Sequence, residues 1–210
     1  MTESLPALES VKFLGVTIDQ KLTFSAHIED LCAKANRKIN ALFRIRSFLD
    51  VKKASILTNA YILSGFRYCS LIWMFCSKGD NAKITRVQVR SLRVTHLDFK
   101  TSSENLFQVY NSESVHTRNL KLPAVEVFKS TNRLNPSFMW DMFTPKLSSM
   151  TLPCGHRLRL PGKSESTTQG FIFRAVLLWN NLPKALKQVT SLNSFKAGLG
   201  QYSTPLYCKC

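Results

Sequence analysis

Apolar residues recur at three- and four-residue steps through Ile28, Leu31, Cys32, Ala35, Ile39, Leu42 and Phe43, which lays them along one side of a long helix. Ser25 occupies the N-cap position of that helix. Glu29 and Asp30 fall in its early turns, where the helix dipole favours negative charge. Upstream, Val11–Asp19 mixes β-branched and aromatic residues around one glycine. It predicts a strand that turns at Gln20-Lys21 into a short partner, Leu22–Phe24. Downstream, 52–77 predicts one or two helices, broken or bent near Ser64-Gly65. Gly79-Asp80-Asn81 reads as a loop, and Lys83–His96 as a helix with Ile84, Val87 and Val94 on its apolar side.

Three shorter helices are predicted around 103–110, 115–134 and 137–143, with Asn135-Pro136 separating the last two. Composition then shifts to Pro, Ser, Thr and Gly over 144–169, a linker or draped loop with a short strand at Arg157–Leu160. Phe171–Trp179 is an apolar run that suits helix or strand, and 190–200 reads as a short helix. The expected fold class is mainly α: a small N-terminal β-hairpin, an antiparallel helical bundle, and a second helical region with an irregular Pro/Ser-rich segment. The corresponding boundaries are 1–24, 25–98, 99–143, 144–170 and 171–210.

Charge changes the picture most. The 210 residues carry 29 Lys and Arg against 13 Asp and Glu, a formal net charge of +16, while 44% hydrophobic residues is ordinary for a folded domain. So large an excess implies a polyanionic partner, nucleic acid or an anionic membrane surface. The most apolar run, Tyr68–Cys76, is too short to span a bilayer and is bracketed by Arg67 and Lys78, so no membrane partner is expected. The amino terminus has no basic start and no long apolar run, and does not read as a signal peptide. Six cysteines without a CxxC are expected to be free thiols of a reducing compartment.

The basic residues are organised. Lys83, Arg86, Arg90 and Arg93 recur on one helical face, opposite much of the apolar one. Lys34, Arg37 and Lys38 form a second cluster, loosely extended by Arg44 and Arg46. Between Lys34 and Lys100 the only acids are Asp50, Asp80 and Asp98. A solvated face usually alternates sign, whereas a one-sign stripe suits the phosphate backbone and carries no base-sequence information. Tyr61, Phe66, Tyr68, Trp73 and Phe75 could stack on bases, but at helical spacing they are read as core. His27, His96, His116 and His156 stand at no telling interval from a nucleophile or carboxylate. Cys154, His156, Cys208 and Cys210 could supply four zinc ligands, although their intervals fit no specific zinc pattern. A glycine-rich phosphate loop is absent from the sequence.

Several short motifs then fall in a recognisable order. Phe13-Leu-Gly15 leads into Val16–Asp19, Leu22-Thr-Phe24 and His27-Ile28. Tyr68-Cys69, Trp73, Val87-Gln88 and Leu92-Arg93 follow, then Ser114–Asn119, Val127–Lys129 and Asn135-Pro136. Leu178–Pro183 and Ser191–Lys196 close the series. This order resembles the carboxyl-terminal part of LINE-type (non-LTR) retrotransposon reverse transcriptases, RNA-directed DNA polymerases, over about Val11 to Leu199. The resemblance implies that the hairpin with Phe13, Leu14 and Gly15 is the end of the palm, a primer grip, and that 25–98 is the thumb.

It also implies where chemistry is missing. The family's magnesium-binding aspartates lie upstream of the Phe13-Leu-Gly15 passage, and the sole adjacent acids here, Glu29-Asp30, sit near a helix start. The chain is therefore expected to hold a template–primer (RNA–DNA or RNA) beside the palm and fingers of an intact enzyme. It would have no polymerase site, catalytic residue, cofactor or metal of its own. Lys34, Arg37, Lys38, Lys83, Arg86, Arg90 and Arg93 would contact phosphates. Two alternatives stay open: a non-enzymatic nucleic-acid-binding transposon remnant, and a degenerate reading frame whose product has no role. In the second, the apolar hairpin face of Phe13, Val16 and Ile18 would lack a partner.

Overall fold

The computed structural model describes residues 8–144, 157–161 and 170–202. The fold is mainly helical, with one small antiparallel hairpin at the N-terminal end. The chain divides into two compact units between His116 and Thr117, inside the stretch that the sequence reading kept together as 99–143.

The first unit opens with β1 (Ser10–Phe13) paired to β2 (Val16–Asp19), with Phe13 opposite Val16. The turn is therefore Leu14-Gly15 rather than Gln20-Lys21. Both residues take positive φ, 45° and 84°, the conformation that matches strand twist in a two-residue hairpin. Leu22–Phe24 is no strand. The Asp19 carboxylate accepts from the N–H groups of Lys21, Thr23 and Phe24 and from the Thr23 hydroxyl, which folds that stretch into a turn. The apolar hairpin face is partly covered: Val16 is buried and Ile18 packs against the core, while Val11 and Phe13 stay exposed.

Helix α1 (Ser25–Ile45) buries Ile28, Cys32, Ala35, Ile39 and Leu42, as its periodicity predicts, together with His27. Phe43, expected on that side, is mostly exposed. Ser25 does not cap the helix through its side chain; Phe24 takes the N-cap position in a left-handed conformation, and neither Glu29 nor Asp30 lies in the first turn.

The chain then runs back along α1 through a broken leg. It consists of α2 (Val51–Leu57), a π turn (Thr58–Ile62), a 3-10 turn (Leu63–Arg67) and the one-turn α3 (Ser70–Trp73). The return is visible in its contacts: Lys38 of α1 reaches the carbonyl of Tyr61, and His27 meets Trp73 edge-on. Phe66 and Trp73 are core residues, whereas Tyr61 and Tyr68 are about half exposed.

Helix α4 (Lys78–His96) starts earlier than its apolar pattern suggests. Gly79, Asp80 and Asn81 form its first turn because Ser77 caps it, the hydroxyl accepting from the Asp80 N–H at 3.1 Å. Consecutive legs are antiparallel, so α1 and α4 run parallel. Polar contacts pin their register at both ends. At the N-terminal end the Asp80 carboxylate, 3% exposed, accepts from the Ser25 hydroxyl (2.8 Å), the Ser77 hydroxyl (2.8 Å) and Lys83 Nζ (3.0 Å). At the other, buried Arg46 donates to the Thr95 carbonyl at 2.8 Å, and the Thr95 hydroxyl meets that of Thr58. Gln88, 1% exposed, donates to the Glu113 carbonyl and accepts from the Val115 N–H, tying the segment after α5 (Leu106–Val109) back onto α4.

Helix α6 (Val115–Thr131) leads into the second unit, and its interior Pro123 is tolerated beside the buried Ala124, Val127 and Phe128. A 3-10 turn, Ser137–Met139, replaces the predicted third helix. Among the described residues α7 (Phe171–Asn181), α8 (Lys184–Lys187) and α9 (Leu192–Gln201) follow. Phe171–Trp179 is thus helix. Phe195 of α9 is fully buried and stacks on Phe128 at 4.4 Å, with Trp179 beside it at 5.9 Å. The extended segment 157–161 is held by the Asn180 amide, which accepts from the Leu158 N–H and donates to its carbonyl.

Asp80→Ala should lower the stability of the first unit by roughly 2–4 kcal/mol, because two hydroxyls and an ammonium lose their acceptor in a mostly buried place. Chemical denaturation followed by circular dichroism checks this; a loss below about 0.5 kcal/mol would remove the clamp from the account of the register.

Candidate nucleic-acid interface

The seven predicted phosphate contacts occupy both flanks of α1 and the adjoining face of α4. Lys83 and Arg90 lean over the α1–α4 seam. Lys83 Nζ pairs with Glu29 (2.7 Å) and Asp80 (3.0 Å), and these two carboxylates, Glu29 foremost, raise its affinity for its proton. Arg90 reaches across to two neutral amides, Asn36 Oδ1 at 2.6 Å and Asn40 Oδ1 at 2.7 Å. Arg86 is exposed and donates to the Ala82 carbonyl of its own helix at 3.3 Å. Arg93 donates to the Thr101 carbonyl and the Ser103 hydroxyl.

Lys38 lies on the other flank of α1, bonded to the Tyr61 carbonyl at 2.8 Å with its ammonium 4.6 Å from the centre of that ring. Lys34 forms an exposed pair with Asp30 at 2.6 Å, of a kind that water and salt largely screen. Arg37 and Arg44 are exposed and carry no ion pair among the described residues. Arg46 departs from the sequence grouping: it is a buried clamp and has no place on the surface.

The three acids of this region are all used by the fold. Asp50 caps α2 through the Lys53 N–H and pairs with that side chain. Burial pushes the Asp80 carboxyl up, but hydrogen bonds from Ser25, Lys83 and Ser77 outweigh it and leave it below the ordinary carboxylate value. Bonds from Thr101 and from the Tyr110 hydroxyl hold Asp98 far below that value. These carboxylates stay charged, yet only Asp80 offsets a cation of the stripe.

Between α1 and α4 runs a groove with two recesses. One, of about 300 Å³, lies beside Glu29, Asn36, Lys83 and Arg90; the other, of about 530 Å³, lies beside Phe43, Arg86, Arg90, Arg93 and Phe99. Asn36 and Asn40, which aim Arg90, were missed by the sequence reading. The available signal was an i, i+4 amide pair on the flank of an otherwise basic helix.

At the hairpin tip the Tyr68 hydroxyl donates to the Leu14 carbonyl at 2.7 Å, and Tyr68 Cε1 lies 3.6 Å from where a Cβ on Gly15 would stand. Phe13 and Leu14 are 64% and 73% exposed, so the predicted grip residues present apolar surface outward. Burial raises the Cys76 thiol to about 12 and raises Cys32 as well, which keeps both protonated. No group of three or more His, Cys, Asp or Glu among the described residues could hold a metal ion. Cys154, His156, Cys208 and Cys210 lie outside the described residues. No helix among the described residues is long and apolar enough to cross a membrane. No family model matches this chain, and no curated protein or solved structure is significantly similar to it.

Burial lowers the proton affinity of His27, His96 and His116 below the ordinary value of 6.5. The unfolded chain therefore takes up these protons first, and stability should fall as pH drops below about 6.5 towards the folded values. Thermal melts across that range check this, and His27→Gln should flatten the dependence. A melting temperature that rises on acidification would contradict the neutral state of these rings.

Proposed function

We propose that this chain is a carboxyl-terminal piece of a LINE-type non-LTR retrotransposon reverse transcriptase whose first unit grips the phosphate backbone of a template–primer duplex. Two lines of reasoning support the reading. The order of short motifs from Phe13 to Lys196 resembles that family. Independently, on the basic face of α1 and α4 only Lys34 and Lys83 pair with carboxylates among the described residues, and the arginines keep their charge. The observation that carries most weight is Arg90, whose hydrogen-bonding partners are neutral amides, so it is positioned without losing its charge. Arg37, Arg44 and Arg86 extend that positive field along an exposed face. In this reading polymerisation belongs to palm carboxylates outside the matching stretch, with magnesium as their cofactor, and this chain contributes binding alone.

One observation favours a second reading, a non-enzymatic nucleic-acid-binding remnant. Val16 and Ile18 of the hairpin pack into a core made by the first unit's own helices, so that part of the hairpin needs no palm beneath it. The two readings separate on magnesium-dependent DNA synthesis by the longest product of the reading frame.

For the binding itself, Arg37→Gln, Arg86→Gln and Arg90→Gln should each weaken duplex binding without changing sequence preference. Each should also reduce the slope of log affinity against log salt by about one. Lys129, paired with Glu126 in the second unit, serves as the control, and Lys129→Gln should leave that slope unchanged. Fluorescence anisotropy at several salt concentrations gives the answer; wild-type slopes in all three arginine variants would discard the stripe as a contact surface.

A further inference from the structure

We infer that the larger recess between α1 and α4 takes one unstacked nucleobase of a single-stranded segment, with the adjoining phosphates on Arg86 and Arg90. This rests on the nucleic-acid reading above and adds to it a site for a base. A phosphate-binding surface needs only charge, and this recess has more.

Its walls carry two aromatic rings, Phe43 from the last turn of α1 and Phe99 from the segment after α4. They are 54% and 56% exposed, and they meet edge to face with centroids 6.4 Å apart and planes at 87°. A flat base lying on one ring would meet the other edge-on, an arrangement aromatic systems favour. Val89 and Val94 add apolar lining. At about 530 Å³ the space exceeds what two bare phosphate oxygens would need and falls within the range of small-ligand clefts.

Charge decides what kind of planar ligand fits. Arg86, Arg90 and Arg93 line the recess, and no Asp or Glu among the described residues does. Arg90 and Arg93 are both fixed by neutral acceptors, Asn36 and Asn40 for one, Thr101 and Ser103 for the other. A cleft with rings on its walls and uncancelled guanidinium groups at its rim matches the two faces of a nucleotide, an apolar stacking base and an anionic backbone. A base inside a duplex cannot enter, because its faces are already stacked. The recess is thus selective for single-stranded or frayed segments, and tolerant of which base it receives.

The test uses the full chain, a short oligouridylate, the same strand carrying abasic spacers, and a blunt-ended RNA–DNA duplex, with binding followed by fluorescence anisotropy. Wild type should lose about tenfold or more in affinity when the bases are removed. The double variant Phe43→Ala/Phe99→Ala should bind the intact strand more weakly by a similar factor, lose little further on base removal, and keep its salt slope. Its duplex binding should be unchanged, which also shows that it is folded. If the double variant binds the intact strand like wild type, or stays equally sensitive to base removal, the site is overturned. Intact and abasic strands binding wild type alike would overturn the base site while arginine-dependent duplex binding kept the backbone reading. Binding of neither strand nor duplex would overturn both.

Discussion

Nearly everything in the first unit follows from the parallel register of α1 on α4, and that register is set by polar groups more than by apolar ones. Ile28, Ile39, Ile84 and Val94 supply the burial, but aliphatic surfaces tolerate sliding by a turn. A carboxylate that must meet two hydroxyls and an ammonium does not. Asp80 fixes the start of the pair, and Arg46 with Thr95 and Thr58 fixes the end, so a shift of one turn would strand buried polar groups at both places. The parallel arrangement is itself a consequence of the broken return leg, which brings the chain back to the beginning of α1 before α4 starts.

That register places the chemistry. With α1 and α4 side by side, Arg90 falls opposite Asn36 and Asn40, and Lys83 opposite Glu29. The difference between these two cations matters. Lys83 is offset by two carboxylates and acts mainly as part of the clamp, whereas Arg90 is aimed by amides and keeps its field. A count of basic residues treats them alike; their partners separate them. The same holds for the acids, since Asp50 and Asp98 serve a helix start and a turn while Asp80 serves the clamp.

The sequence revealed the elements whose signal is periodic and concealed those whose signal is a single side-chain bond. The apolar spacing of α1 gave its buried face nearly residue by residue, and the stripe on α4 was visible as spacing alone. The α4 start was not, because Gly79-Asp80-Asn81 has loop composition and only the bond between Ser77 and Asp80 makes it helix. The hairpin turn was misplaced for a related reason. Leu14 is a poor residue for positive φ, so the sequence points away from the turn that the Val16 packing and the Tyr68 hydroxyl hold in place. Phe43 carried helical spacing yet ends half out of the core beside Phe99, a contact from 56 positions away that no local pattern announces.

The residues that carry the resemblance and the residues that carry the charge are largely different sets. Trp73, Gln88, Trp179 and Phe195 are buried, Asn180 braces the extended segment at Leu158, and Tyr68 secures the hairpin tip. Each has a structural duty that any protein built on this scaffold would need, whatever it bound. Such residues answer to packing, and they would persist in a chain that had lost its function. Arg37 and Arg86 make no hydrogen bond to another element among the described residues, while Arg90 also bridges α4 to α1 through Asn36 and Asn40. Their charge is thus the part of the sequence on which the proposed nucleic-acid binding rests, and that proposal does not depend on the motifs.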